Sequence, residues 1–142
     1  MIRFFYNVYF QYMLKNHFSS YFDIGYFTTM TNARNAILHY KGKPGFNEYD
    51  PDCFSIQKIG VKIDNNNDKE NIKLFVLTCE KEIDDGIEWT NFGAFSSYSA
   101  AAHELEKQKN KRLYKMAVFN IDEWIPNKYI EWQEGFNKIE SL

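Results

Sequence analysis

Apolar and polar side chains alternate from the first residues of the chain. Ile2, Phe4, Tyr6, Val8, Phe10, Tyr12 and Leu14 share one parity, and Arg3, Asn7 and Gln11 fall on the other. A period of two marks a strand with one buried face. Phe5, Tyr9 and Met13 make the second face partly apolar too, so a cover on both sides fits the pattern. After a polar connection at 15–20, a second strand is expected from about Tyr21 to Thr28, antiparallel to the first. The period then changes. Ala33, Ala36, Ile37 and Tyr40 recur at helical spacing, and Thr29 is a good N-cap because its hydroxyl accepts from free N–H groups of the first turn. Gly42 sits at the C′ position, and Pro44 prevents continuation. A turn-rich loop with Pro44-Gly45-Phe46 and Tyr49-Asp50-Pro51-Asp52 leads to a third strand, Cys53 to Ile59. Phe54 and Ile56 face inward there, and Val61 and Ile63 extend it past Gly60.

Residues 64–71 are all polar and rich in Asn and Asp. Such a stretch buries no apolar surface and reads as a linker. The same order of elements then returns. Phe75, Leu77 and Cys79 alternate with Val76, Thr78 and Glu80. Asp84-Asp85-Gly86 is a turn, and a strand follows from about Glu88 to Phe95. Ser97 is the candidate cap of a helix whose stripe is Ala101, Ala102 and Leu105. A last strand is expected from Tyr114 to Ile121 with Met116 and Val118 inward. Pro126 and Asn127 then open a short tail helix, on which Tyr129, Trp132, Phe136 and Ile139 share a face; Gly135 weakens it.

Gly25-Tyr26-Phe27-Thr28-Thr29-Met30-Thr31-Asn32-Ala33 and Gly93-Ala94-Phe95-Ser96-Ser97-Tyr98-Ser99-Ala100-Ala101 both read G-x-F-[ST]-[ST]-x-[ST]-x-A. The glycine permits close packing or an unusual dihedral, the Phe ends the strand inward, the hydroxyls cap the helix, and the Ala lets the helix lie close on the sheet. The expected fold is therefore α+β: two ββαβ repeats, 1–63 and 72–124, forming antiparallel sheet or sheets covered by two helices, with a short C-terminal helix in the tail at 125–142. Units of roughly 60–70 residues are marginal alone, so the two are expected to share a core or a continuous sheet.

Composition changes this picture little. The chain has 142 residues, and its aromatic share of 18% favours sheet. A net charge of -2 gives no reason to expect nucleic acid. Charge is unevenly spread: residues 1–60 carry 6 basic and 4 acidic side chains, residues 61–142 carry 11 and 15. Two cysteines, Cys53 and Cys79, lean towards a reducing compartment and read as free thiols. Arg3, Asn7 and Gln11 interrupt the apolar N-terminus, which lacks the smooth core of a signal peptide and is too short to span a bilayer. A cytoplasmic protein, away from membranes, is the expectation.

No residue constellation in the sequence specifies a reaction. His17, His39 and His103 are scattered, no CxxC or His-Cys pairing is present, and the seven glycines form no phosphate-cradling loop. No catalytic set, metal site or cofactor is expected. Three groups remain as binding candidates. Glu80, Glu82, Asp84, Asp85 and Glu88 fall on one hairpin, where the carboxylates could crowd into an acidic surface for a basic partner or simply stay solvated. Trp124, Tyr129, Trp132 and Phe136 in the tail are the residue types that dominate interface hot spots, or else they pack back on the chain's own sheet. Arg34, Lys107 and Arg112 are an alternative anion-binding set, beside the simpler reading that bases at a helix end complement its dipole.

Some of these residues also resemble a known family. Gly25-Tyr26-Phe27-Thr28-Thr29 with Ala33, Ala36 and Ile37, then Pro44-Gly45-Phe46, then Pro51-Asp52-Cys53-Phe54-Ser55-Ile56, and finally Trp132-Gln133-Glu134-Gly135-Phe136 are similar to a small bacterial and phage domain family of unknown function. The likeness covers residues 5–60 and, more thinly, 72–136. The family looks like a single unit, whereas here the unit recurs. The resemblance implies no catalytic residues.

Together these readings favour a non-enzymatic protein that binds and blocks a macromolecule, such as a toxin immunity protein or a phage inhibitor of a host defence protein. A small-ligand binder, holding a nucleotide or signal molecule between aromatic walls and the basic set, is the alternative. Whether the chain forms a homodimer is left open.

Overall fold

A computed structural model of the chain describes residues 1–13, 19–63, 72–84 and 86–136. The predicted linker at 64–71, His17, Asp85, Leu14 and Ile139 lie outside the described residues. The first repeat comprises β1 (Ile2–Met13), β2 (Ser19–Phe27), α1 (Met30–Tyr40) and β3 (Phe54–Lys62). The second comprises β4 (Leu74–Ile83), β5 (Gly86–Phe95), α2 (Tyr98–Lys109) and β6 (Val118–Trp124). They form two three-stranded antiparallel sheets with the same order, β2-β1-β3 and β5-β4-β6.

The duplication goes deeper than element order. Val8 pairs with Gly25 and Tyr9 with Asp23, so Ile24 is the extra residue of a bulge. In the second sheet Leu77 pairs with Gly93 and Thr78 with Asn91, leaving Phe92 as the extra residue. A bulge is a specific local defect in a ladder. Its recurrence at matching positions, three residues before the Phe that ends each strand, is what a copied unit would show. The caps also match: Thr29 accepts from the Asn32 N–H and Ser97 from the Ala100 N–H.

Contacts divide the chain into two compact units. One contains Phe4–Ile59 and Pro126–Leu142; the other contains Met1–Arg3 and Gly60–Ile125. The first unit has an aromatic core around Phe10, which meets Phe46 edge-on at 4.9 Å and Phe54 at 4.8 Å between ring centroids. Val8, Ile24, Phe27, Ala33, Ala36 and Tyr40 complete it. The β1 pattern is only partly as predicted. Ile2 and Phe4 are exposed, whereas Phe5 and Asn7, on the opposite parity, are buried. Asn7 is accommodated because its amide donates to the Gly25 carbonyl at 3.1 Å and to Asp23 Oδ1 at 3.2 Å, which satisfies a buried polar group.

Two predicted elements need correction. The tail is not helical over its described residues. Asn127 and Trp132 have φ of 65° and 60°, and Gly135 has 78°, all outside the right-handed helical region. Docking on the first repeat outweighs helix formation. Phe136 donates its N–H to the Pro44 carbonyl at 2.9 Å, and the two backbones approach so closely that a Cβ on Gly45 would overlap the Phe136 carbonyl, and one on Gly135 the Pro44 carbonyl. The last strand starts later than expected. Arg112–Tyr114 form a single 3-10 turn, and β6 begins at Val118. Its parity is reversed: Met116 and Val118 are 82% and 63% exposed, while the half-buried Phe119 and Ile121 share the face of Cys79 and Leu77, with which they pair.

Candidate functional site

The acidic hairpin is formed by β4 and β5, whose ladder runs out to the pair Ile83 and Gly86. Directly paired residues place their side chains on one face of a sheet, and alternate residues along a strand share a face. Glu80 pairs with Trp89 on one side and with Val118 on the other; Glu82 pairs with Ile87. One face therefore carries Trp89, Glu80 and Val118 in a row, with Ile87 and Glu82 beside them. Trp89, Ile87 and Val118 are 40%, 65% and 63% exposed, and both glutamates are exposed. Further along the same face of β4, Leu74, Val76 and Thr78 are buried. The face is thus covered at one end and bare at the other.

Glu88 lies on the opposite face, paired with Lys81. Lys81 in turn donates to the Leu113 carbonyl at 2.9 Å. The sequence-predicted carboxylates are accordingly split between two faces rather than crowded: Glu80 and Glu82 on one, Glu88 against a base on the other, and Asp84 exposed at the tip. Among the described residues no group of three or more His, Cys, Asp and Glu side chains is arranged to hold a metal ion.

The tail aromatics are placed differently from one another. Trp132 stacks on Phe22 at 4.1 Å and donates its indole N–H to the Asp23 carbonyl at 3.1 Å. Phe136 lies among Phe10, Tyr12, Phe22 and Phe46. These two are parts of the first unit's core. Tyr129 stacks on His39 at 4.6 Å and remains 38% exposed, and Trp124 is half-buried at the end of β6. Tyr40 joins the same network: its hydroxyl donates to the Glu131 carbonyl at 2.7 Å and accepts from Gln133 at 2.8 Å. Burial first, then the neighbouring Tyr129 and Glu131, push its pKa up to about 12.

Arg34 belongs to one unit and Lys107 and Arg112 to the other, and all three side chains are exposed. Lys107 has Glu104 at 3.9 Å, a contact worth little at the surface. Cys53 and Cys79 are free thiols, and burial raises the pKa of each, which works against thiolate formation. His103 is exposed on α2.

Ile87, Trp89 and Val118 are the members of this surface that sequence reasoning missed. The signal for Ile87 and Trp89 was available. The sequence reads as a turn at Asp84-Asp85-Gly86; with Ile83 paired to Gly86, counting outward puts Ile87 opposite Glu82 and Trp89 opposite Glu80. Val118 could not be found that way, because the parity of β6 was misread.

No protein-family model matches the chain, and no curated protein or solved structure does so either. Among the described residues no helix is long and apolar enough to cross a membrane.

Proposed function

We propose that this chain is a non-enzymatic binding protein of the cytoplasm, an inhibitor or immunity-type protein that blocks a toxin or a defence protein by docking on it. The observation that carries this reading is the bare end of the second sheet, where Trp89, Ile87 and Val118 are exposed around Glu80 and Glu82. Exposed apolar side chains ringed by charge mark interaction surfaces, and a partially exposed Trp is the residue type whose truncation costs most in an interface. Two carboxylates of one sign within this patch select a partner with a basic, apolar counterpart.

Affinity capture from the native host tests it. Wild-type protein is expected to retain a partner that Trp89→Ala loses by about 30-fold in affinity, the effect of removing a hot-spot residue. The double variant Glu80→Lys/Glu82→Lys is expected to lose the partner as well, by slower association. Recovery of no partner, or of one held equally by all three proteins, sinks the reading.

A further inference from the structure

Gly25–Ala33 and Gly93–Ala101 correspond residue for residue, and the bulges before them fall at matching positions. In the first repeat the tail lies along the free edge of β2 and across the start of α1. Asn127 donates its backbone N–H to the Tyr26 carbonyl at 2.8 Å. Its side-chain carbonyl accepts from the Thr28 backbone N–H at 3.0 Å and from the Asn32 amide at 3.2 Å, and its amide donates to the Thr28 hydroxyl at 3.0 Å. Trp132 then reaches the Asp23 carbonyl further down the same edge. The strand edge and helix start of the first repeat are, in effect, a receptor for an irregular, turn-rich segment, and residues 126–136 fill it.

The counterparts of Tyr26, Thr28 and Asn32, at the repeat offset, are Ala94, Ser96 and Ala100. All three line an open groove of about 720 Å³ in the second unit, together with Ser99, His103 and Lys62. β5 is an edge strand like β2, so one side of its main chain has no partner strand among the described residues; there the Gly93 N–H donates to Asn91 Oδ1 at 2.7 Å. Among the described residues, no segment takes in the second repeat the place that the tail takes in the first.

We propose that this groove binds a segment of a partner protein, one carrying a side-chain amide followed two residues later by an aromatic ring, as Asn127 and Tyr129 do in the first repeat. The amide residue's N–H meets the Ala94 carbonyl, and its side chain brackets the Ser96 N–H and hydroxyl. As in the first repeat, a main-chain hydrogen bond to the strand edge and the bracketing amide hold the segment, and the amide sets register. Ala100 cannot donate as Asn32 does, so the second site offers one hydrogen bond fewer and more room. The aromatic ring would meet Phe95, the counterpart of Phe27, which stands 6.0 Å from Tyr129 in the first repeat. The surface is distinct from the acidic and apolar end of the sheet, and the inference does not rest on the function proposed for that end.

The probe is a synthetic peptide with the sequence of residues 125–136, added to the full chain labelled for amide NMR. Saturable shift changes at Gly93, Ala94, Ser96 and Ala100 are expected. Asn127→Ala in the peptide is expected to weaken binding about tenfold. Ala100→Trp in the protein, an exposed first-turn position on α2, is expected to fill the groove and abolish binding while far-UV circular dichroism stays unchanged. Absence of saturable shifts at millimolar peptide overturns the proposal. So does binding that survives Ala100→Trp, or shifts confined to Gly25–Asn32, which would mean exchange with the resident tail. Concentration-dependent self-association that Ala100→Trp removes would assign the groove to a second copy of the chain and overturn a foreign partner.

Discussion

The two repeats share a frame and differ in what they bury. At the centre of the first stands Phe10, with rings of Tyr12, Phe22, Phe46, Tyr49, Phe54 and Phe136 around it. The bulges align Val8 with Leu77, so the counterpart of Phe10 is Cys79. α1 buries Ala33, Ala36 and Tyr40, whereas α2 buries Ala101. Neither β5 nor β6 contains a buried residue. Duplicating a unit copies backbone instructions: caps, bulges, small residues where a helix approaches a sheet. It does not oblige both copies to fill the same volume. One copy has concentrated aromatic packing and recruited the tail as a cover; the other keeps its edge and one sheet end open.

Replacing the central residue of each repeat measures that contrast most strongly. Phe10→Ala is expected to destabilise the protein by about 3–5 kcal/mol, because a fully buried ring is removed from a packed cluster that can collapse only in part. Cys79→Ala, which deletes one sulfur atom at an equally buried position, is expected to cost about 1 kcal/mol. Urea titrations followed by tryptophan fluorescence and circular dichroism give both values. Equal losses would mean that the second repeat has a core as demanding as the first.

Glycines give a finer test. Gly135 has φ of 78°, and a Cβ there would overlap the Pro44 carbonyl; Gly93 has φ of 110° with no atom within 4 Å of its would-be Cβ. Gly135→Ala therefore meets backbone strain and a collision with backbone that has no flexible end to move. A loss of about 3 kcal/mol is expected, with exposure of Trp132 as the tail lifts. Gly93→Ala meets strain alone, for a loss of about 1 kcal/mol. Thermal melts compare the two, and a Gly93→Ala loss as large as that of Gly135→Ala would show that the second corner is also packed by neighbouring chain.

Much of this frame was legible in the sequence because it rests on local rules. Thr29 and Ser97 announce helix starts by their hydroxyls, and the G-x-F-[ST]-[ST] segments reveal the copy. The tail was misread because helical periodicity was set against contacts that only the folded first repeat supplies: the Phe22 ring for Trp132, the Pro44 carbonyl for Phe136. Phe4 and Phe5 cannot be sorted by alternation when both are apolar, and a cover on either face decides which is buried. The acidic residues were identified, but their faces depend on strand register. A single turn settles that for Glu82 and Ile87, yet long-range pairing is needed to bring Val118 beside Glu80. Binding at the groove was invisible for a related reason. Ala94, Ser96 and Ala100 are unremarkable residue types, and only the tail on the matching corner gives them meaning.

The smallest effects bear on what the repeats have in common. Thr29 Oγ1 accepts from the Asn32 N–H at 3.0 Å and Ser97 Oγ from the Ala100 N–H at 3.1 Å, so the two caps have the same geometry. Removing either hydroxyl leaves a first-turn N–H to water, at a cost of about 1 kcal/mol. Thr29→Ala and Ser97→Ala are expected to agree within about 0.5 kcal/mol, and to add in the double variant because the sites share no partner. Thr29 is the more informative of the pair. Its neighbour Thr28 and the capped residue Asn32 both hold Asn127, contacts that the Ser97 corner has no counterpart for among the described residues. A Thr29→Ala loss well above that of Ser97→Ala would measure this coupling, and would show that the tail has become part of the first repeat's helix start.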